Sequence, residues 1–244
     1  MKRVIVALMA AALLLAGTAC SPAGETEPSS QEVSSSSSPV ASSAPEEEGH
    51  GVAEHGAAAR YYEYLKDHSE VCLLLSPEGQ PFTDEQLSAY ALWVLAVADE
   101  EGDGFETGFS PEEMNAAAEK YTGRAIRDFD NQMTYLDPQT GTVKPTGWGL
   151  TSIRWVLSEL TEEPDGSRTG LFYYFVFSLD ADLPAPDRME RQLLAGEFES
   201  YGVPYLARMH FREQWDEETG EFYLQILSLE KLGDGETPYT VYGS

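Results

Sequence analysis

Apolar residues along this chain follow two spacings, a helical one between residues 57 and 122 and an alternating one from residue 133 onward. The first begins at Ala57 to Asp67, where Tyr61 and Leu65 stand one turn apart and predict a helix. Val71 to Leu75 is a short apolar run, strand or buried coil, that Ser76-Pro77-Glu78-Gly79 brings to an end. The strongest helical pattern follows. Thr83 and Gln86 have the spacing of a capping box, in which the two side chains satisfy backbone N–H groups left free at a helix start. Behind them Leu87, Tyr90, Ala91, Val94, Leu95 and Ala98 line one face. Leu92, Trp93 and Val97 fill much of the opposite side, so this helix is expected to be buried on more than one face. Ser110-Pro111-Glu112-Glu113 combines a cap, a first-turn proline and a capping-box acid, predicting a helix that runs to Thr122 and stops at Gly123.

Met133 to Leu136 and Thr142 to Lys144 flank Asp137-Pro138-Gln139-Thr140-Gly141, a hairpin signal. Ile153, Trp155 and Leu157 alternate with Arg154 and Ser158, and Pro164-Asp165-Gly166 then turns the chain into Leu171 to Leu179. In that strand Leu171, Tyr173, Phe175 and Phe177 share one face while Phe172, Tyr174 and Val176 share the other. Apolar character on both faces predicts a central strand covered on both sides. Asp187 to Ala195 reads as a short capped helix ended by Gly196, and a last hairpin pairs Tyr205 to Trp215 with Glu221 to Leu229. Helices first and antiparallel hairpins afterwards predict an α+β fold, a single domain over residues 57–244 with its N-terminal helices packed on a curved antiparallel β-meander. No repeat recurs at a solenoid period.

The N-terminus carries a separate signal. Lys2 and Arg3 precede Val4 to Ala16, 13 apolar residues that are too few for a lasting transmembrane helix and suit a secretory signal peptide. Gly17-Thr18-Ala19-Cys20 closes it. This ending resembles the lipobox of bacterial lipoproteins, with Gly17 where an aliphatic residue is usual. The resemblance implies a signal peptide over 1–19, acylation of Cys20 with palmitate-type chains, and a place on the extracytoplasmic face of a bacterial cell membrane. The alternative is a freely secreted chain with a spare cysteine. Ser21 to Gly56 holds ten serines and four prolines in 36 residues, with no aromatic and no basic side chain, a composition expected to form a disordered tether. As a coil it spans roughly 30 to 36 Å, and about 100 Å when stretched. Thr146-Gly147-Trp148-Gly149 and Leu224-Gln225-Ile226-Leu227-Ser228-Leu229 give the domain a loose similarity to uncharacterised α+β domains on lipoproteins of anaerobic gram-positive bacteria. That similarity implies no activity and no site. Helices leading into a meander are also similar, at the level of architecture, to the cone-shaped nuclear-transport-factor-like fold.

Charge narrows the partners. The chain has 15 basic and 42 acidic residues, a net −27, and loss of Lys2 and Arg3 with the leader leaves 13 against 42, or −29. Such a surface repels nucleic acid and anionic lipid, leaving the N-terminal lipid as the expected contact with the membrane. It also keeps a monomer soluble. Once Cys20 is acylated, Cys72 has no partner for a disulfide and is expected to be an inert buried thiol, so stability must come from the core of the 188 residues after Gly56.

Three constellations have chemical character. Asp99, Glu101 and Asp103 occupy positions 1, 3 and 5 of a calcium loop, with Gly104 at position 6. Position 12 is Ser110 where a bidentate glutamate belongs, and an acidic surface loop explains the same residues without metal. Arg208, His210 and Arg212 alternate on one strand face. They are suited to a carboxylate or sulfate, or to pairing with acids across the sheet. The aromatics Trp148, Trp155, Tyr173, Tyr174 and Trp215 are either core or a platform for sugars and peptides, and Trp148, between two glycines, is placed to project from a loop. No serine-hydrolase elbow, zinc helix, Cys-x-x-Cys or phosphate loop is present. The sequence therefore predicts a non-catalytic envelope module that binds a glycan, a small molecule or another envelope protein. A Ca²⁺-binding envelope domain and a carboxylate-dependent envelope hydrolase stand as the alternatives.

Overall fold

The computed structural model describes residues 51–99, 102–147, 152–178, 183–235 and 239–243, with side chains from Gly56 onward. Its first element is helix α1, Gly51–Asp67, which starts six residues before the boundary that composition suggested. The apolar run at Val71 forms a 3-10 helix, Ser69–Leu74, which buries Val71 and Leu74. Strand β1 is the two-residue Ser76–Pro77. Helix α2, Asp84–Ala98, starts on the expected capping box. Gln86 N–H donates to Thr83 Oγ1 at 3.2 Å and Thr83 N–H to Gln86 Oε1 at 3.0 Å. A single turn, α3, covers Gly104–Thr107. Helix α4, Pro111–Thr122, uses Ser110 and Glu113 in the same reciprocal way and stops where Gly123 turns left-handed at φ +68°.

The second half of the chain is sheet. Strands β2, Thr134–Leu136, and β3, Val143–Pro145, form the predicted small hairpin. Strands β4, Ser152–Glu162, and β5, Arg168–Phe177, are joined by the Pro164-Asp165-Gly166 turn. Helix α5, Pro186–Leu194, separates them from β6, Tyr205–Trp215, and β7, Phe222–Asp234. The main sheet runs β1-β7-β6-β5-β4, an antiparallel meander to which β1 adds a parallel pair, Ser76 beside Glu230 and Pro77 beside Lys231. The fold is α+β.

The inner face of this sheet packs against α1, α2 and α4 through Trp155, Phe172, Met209, Phe211 and Ile226, all buried. Three bulges interrupt the pairing, one of them at Leu232 of β7, and the other two adjust which residues face inward. An extra residue in β4, between the pairs Leu157–Phe172 and Glu159–Leu171, turns both Leu157 and Leu160 inward. An extra residue in β7, between Ile226 and Ser228, does the same for Ile226 and Leu229. Helix α1 packs against β4 and serves both faces, with Tyr61 and Leu65 in the inner core and Tyr62 in the outer one. A polar knot ties α1 to the sheet. Glu213 Oε1 accepts from Tyr61 Oη at 2.6 Å and Arg168 Nη1 at 3.1 Å, and also from Arg60, while burial and the Glu213 bond push the Tyr61 phenol up to about 12.

Candidate functional site

Along β5 the outer-face positions are Thr169, Leu171, Tyr173, Phe175 and Phe177. From Tyr173 onward they are buried with Met189 and Leu193 of α5, Phe198 and Val241. Before Tyr173 that cover is absent among the described residues, and the sheet floors an open depression of about 580 Å³, within the range of small-ligand sites.

Strand register builds its floor. Thr169 pairs with His210 and His210 with Ser228, so three polar side chains form one row across β5, β6 and β7. Two strand spacings make that row about 10 Å long. The β4–β5 turn supplies one wall. Gly166, at φ +79°, returns the chain so that Ser167 N–H donates to Asp165 Oδ1 at 3.0 Å. The Ser167 hydroxyl donates to the same oxygen and lies 2.7 Å from His210 Nε2. Glu163 Oε1 accepts from Thr169 Oγ1 at 2.8 Å. On the other side Glu230 Oε2 accepts from Arg208 Nη1 at 3.2 Å, and Glu78 takes a second bond from the same nitrogen at 3.3 Å.

Proton placement follows from charge. The Ser167 hydroxyl, its backbone N–H and the Arg212 guanidinium together hold the Asp165 carboxyl down at about 2, so it is ionised at neutral pH. An ionised carboxylate is the strongest acceptor the Ser167 hydroxyl can reach, which leaves the serine oxygen to accept from His210. This assigns the proton of that contact to Nε2 of His210. A nucleophile-activating triad needs the reverse, an imidazole that takes the serine proton and an acid that orients the imidazole. Here the acid holds the serine, and Ser167 is 0% exposed. The group is a rigid support that fixes the ring of His210.

The three cationic positions of β6 do share this outer face, and the guanidiniums are spent on acids across the sheet. Arg208 lies between Glu78 and Glu230, and Arg212 Nη2 donates to Asp165 Oδ2 at 2.9 Å. A carboxylate or sulfate would have to displace those partners. Trp155, Tyr173 and Tyr174 are core residues. Trp215 is 56% exposed and edge-on to Phe222 at 5.4 Å, while Trp148 lies outside the described residues. In the acidic loop, Asp99 Oδ2 accepts from the backbone N–H groups of Asp103 at 3.1 Å and Gly104 at 2.8 Å. The first carboxylate of the expected calcium loop thus faces the start of α3, and Gly104 is needed because a Cβ there would stand 2.6 Å from Phe109. Glu101 and Cys20 lie outside the described residues, among which no group of three or more metal-ligating side chains occurs.

Cys72, expected to be buried, is half-buried, and burial pushes its thiol up to about 12, away from the thiolate form that reacts. One contacting carboxylate pair was not anticipated. Glu63 and Glu190 hydrogen-bond to each other, with Lys66 holding Glu63 down while burial and the Glu63 charge push Glu190 up. No described helix is long and apolar enough to cross a membrane. No protein-family model matches the chain, and no curated protein and no solved structure matches it significantly.

Proposed function

We propose that this chain is a non-catalytic binding module of a bacterial envelope, held at the extracytoplasmic face by lipid on Cys20, whose ligand lies on the bare half of the outer sheet face. The observation that carries the reading is the Thr169–His210–Ser228 row, with its central ring fixed from below by Ser167 and Asp165. Ordering a side chain costs entropy, and a ring already held in one rotamer has met that cost before the ligand arrives. The depression is open, polar and rimmed by paired charges, which suits recognition through several hydrogen bonds.

The experiment is thermal unfolding of the purified chain against a panel of amines, oligosaccharides, organic anions and metal ions. A ligand at a hundred times its dissociation constant adds about 2.7 kcal/mol, a rise of a few degrees at this size. The rise should vanish in His210→Ala. A panel without any shift, or a shift that His210→Ala keeps, removes the depression as the binding site. Anchoring is tested apart from this by palmitate labelling in a bacterial host, with Cys20→Ala expected to abolish the label.

A further inference from the structure

Resting on the reading of this depression as a binding site, we infer that its ligand is an elongated organic cation of the polyamine type, with ammonium groups near both ends. The hydrogen-bonding inventory is lopsided. Four carboxylates, Glu78, Glu163, Asp165 and Glu230, meet two guanidiniums, Arg208 and Arg212, and both guanidiniums are bound to carboxylates. Glu163 receives only the Thr169 hydroxyl at Oε1. Glu230 receives one bond at each oxygen, from Arg208 and from Gly79 N–H at 3.3 Å. A carboxylate offers about four lone-pair positions, so both keep unspent acceptors. The Ser228 hydroxyl adds another between them. A site with surplus acceptors and committed donors selects a ligand that brings N–H groups, and the surplus negative charge selects a positive one.

The geometry adds length to this chemistry. Glu163 is held at the Thr169 end of the floor row, and Glu230 lies on β7 two residues beyond Ser228, at the opposite end. The row between them spans two strand spacings, about 10 Å. One compact cation reaches one end, whereas a flexible chain with an ammonium at each end reaches both and lays its inner amine or methylenes along His210.

The test is calorimetric titration of the purified chain with spermidine, and with N-butylamine, magnesium chloride, an oligosaccharide and sodium sulfate in parallel. The inference expects spermidine to bind at least about tenfold more tightly than N-butylamine. It expects Glu163→Gln and Glu230→Gln each to weaken spermidine by about tenfold, with Glu119→Gln on α4 as the neutral control. Spermidine binding that ignores both rim substitutions is diffuse attraction to an acidic chain and overturns the inference, as does magnesium competing at equal concentration. If the oligosaccharide or sulfate binds instead and is lost in His210→Ala, the cation class is wrong while the depression remains the site. No binding by any probe overturns the inference and the functional reading together.

Discussion

One strand face runs through two environments. On β5, Tyr173, Phe175 and Phe177 are sealed by α5 and Phe198, while Thr169, on the same face and the same strand, lies among Glu163, His210 and Ser228. Backbone pairing does not distinguish them, since both ends of β5 are hydrogen-bonded to β4. What changes is the side chain, aromatic where a helix returns to cover the sheet and polar where none does. The sealed half contributes stability by removing apolar area from water, at roughly 25 cal/mol per Å². The bare half contributes little to stability and keeps its hydrogen-bonding groups available. On the proposed reading, one surface is divided between folding and recognition.

That division is open to attack from the sealed side first. Phe175→Ala should cost about 3 to 5 kcal/mol in denaturant unfolding, because the ring is buried against Phe177, Phe198 and Tyr201 and a cavity replaces it. Leu193→Ala on α5 should cost about 2 to 5 kcal/mol and leave ligand binding intact, since none of the residues lining the depression belongs to the cluster that α5 covers. A loss of binding equal to the loss of stability would show that the two halves are coupled.

The pH dependence of Asp165 is a subtler probe. Its folded carboxyl lies near 2, below the value of about 3.9 for an unfolded aspartate. The stability it contributes is therefore complete above about pH 4 and lost as pH falls through 2. Comparing urea midpoints of the parent chain and Asp165→Asn at pH 7, 4 and 2.5 should show the gap between them closing only below pH 4. A gap that is constant with pH would mean that the carboxylate charge does not hold Ser167. The smallest effect belongs to Ser228→Ala, within about 0.5 kcal/mol of the parent in stability while measurably weaker in binding. Were it to destabilise as Phe175→Ala does, the bare half would be structural after all.

Both halves left different traces in the sequence. Capping boxes at Thr83 and Ser110 and the stop at Gly123 are local devices, and the helices begin and end on them. Alternation on β5 displayed a strand apolar on both faces, and alternation on β6 placed Arg208, His210 and Arg212 together. Other features had no local mark. Val71 to Leu75 reads equally as strand or coil, and most of it became a 3-10 helix, because a five-residue apolar run carries no period. The two-residue β1 exists only through its pairing with β7, and the bulges at 158 and 227 break the parity on which face assignments rest. The site itself was half visible. Pro164-Asp165-Gly166 read as a turn, and the linkage of Asp165 through Ser167 to His210 depends on the β5–β6 register, which no stretch of either strand announces.

The closing strand pair has a further consequence for behaviour at high concentration. Unpaired ladder edges recruit other chains, and edge-to-edge zipping is a common route to aggregation. On one side of this sheet the ladder ends at Pro77, whose ring has no N–H to offer a newcomer. On the other, α1 packs against β4, and Tyr242 N–H occupies the Leu157 carbonyl at 2.9 Å. Crowded copies of this protein should therefore meet first through side chains and like charge, with sheet-to-sheet zipping disfavoured at both of these points.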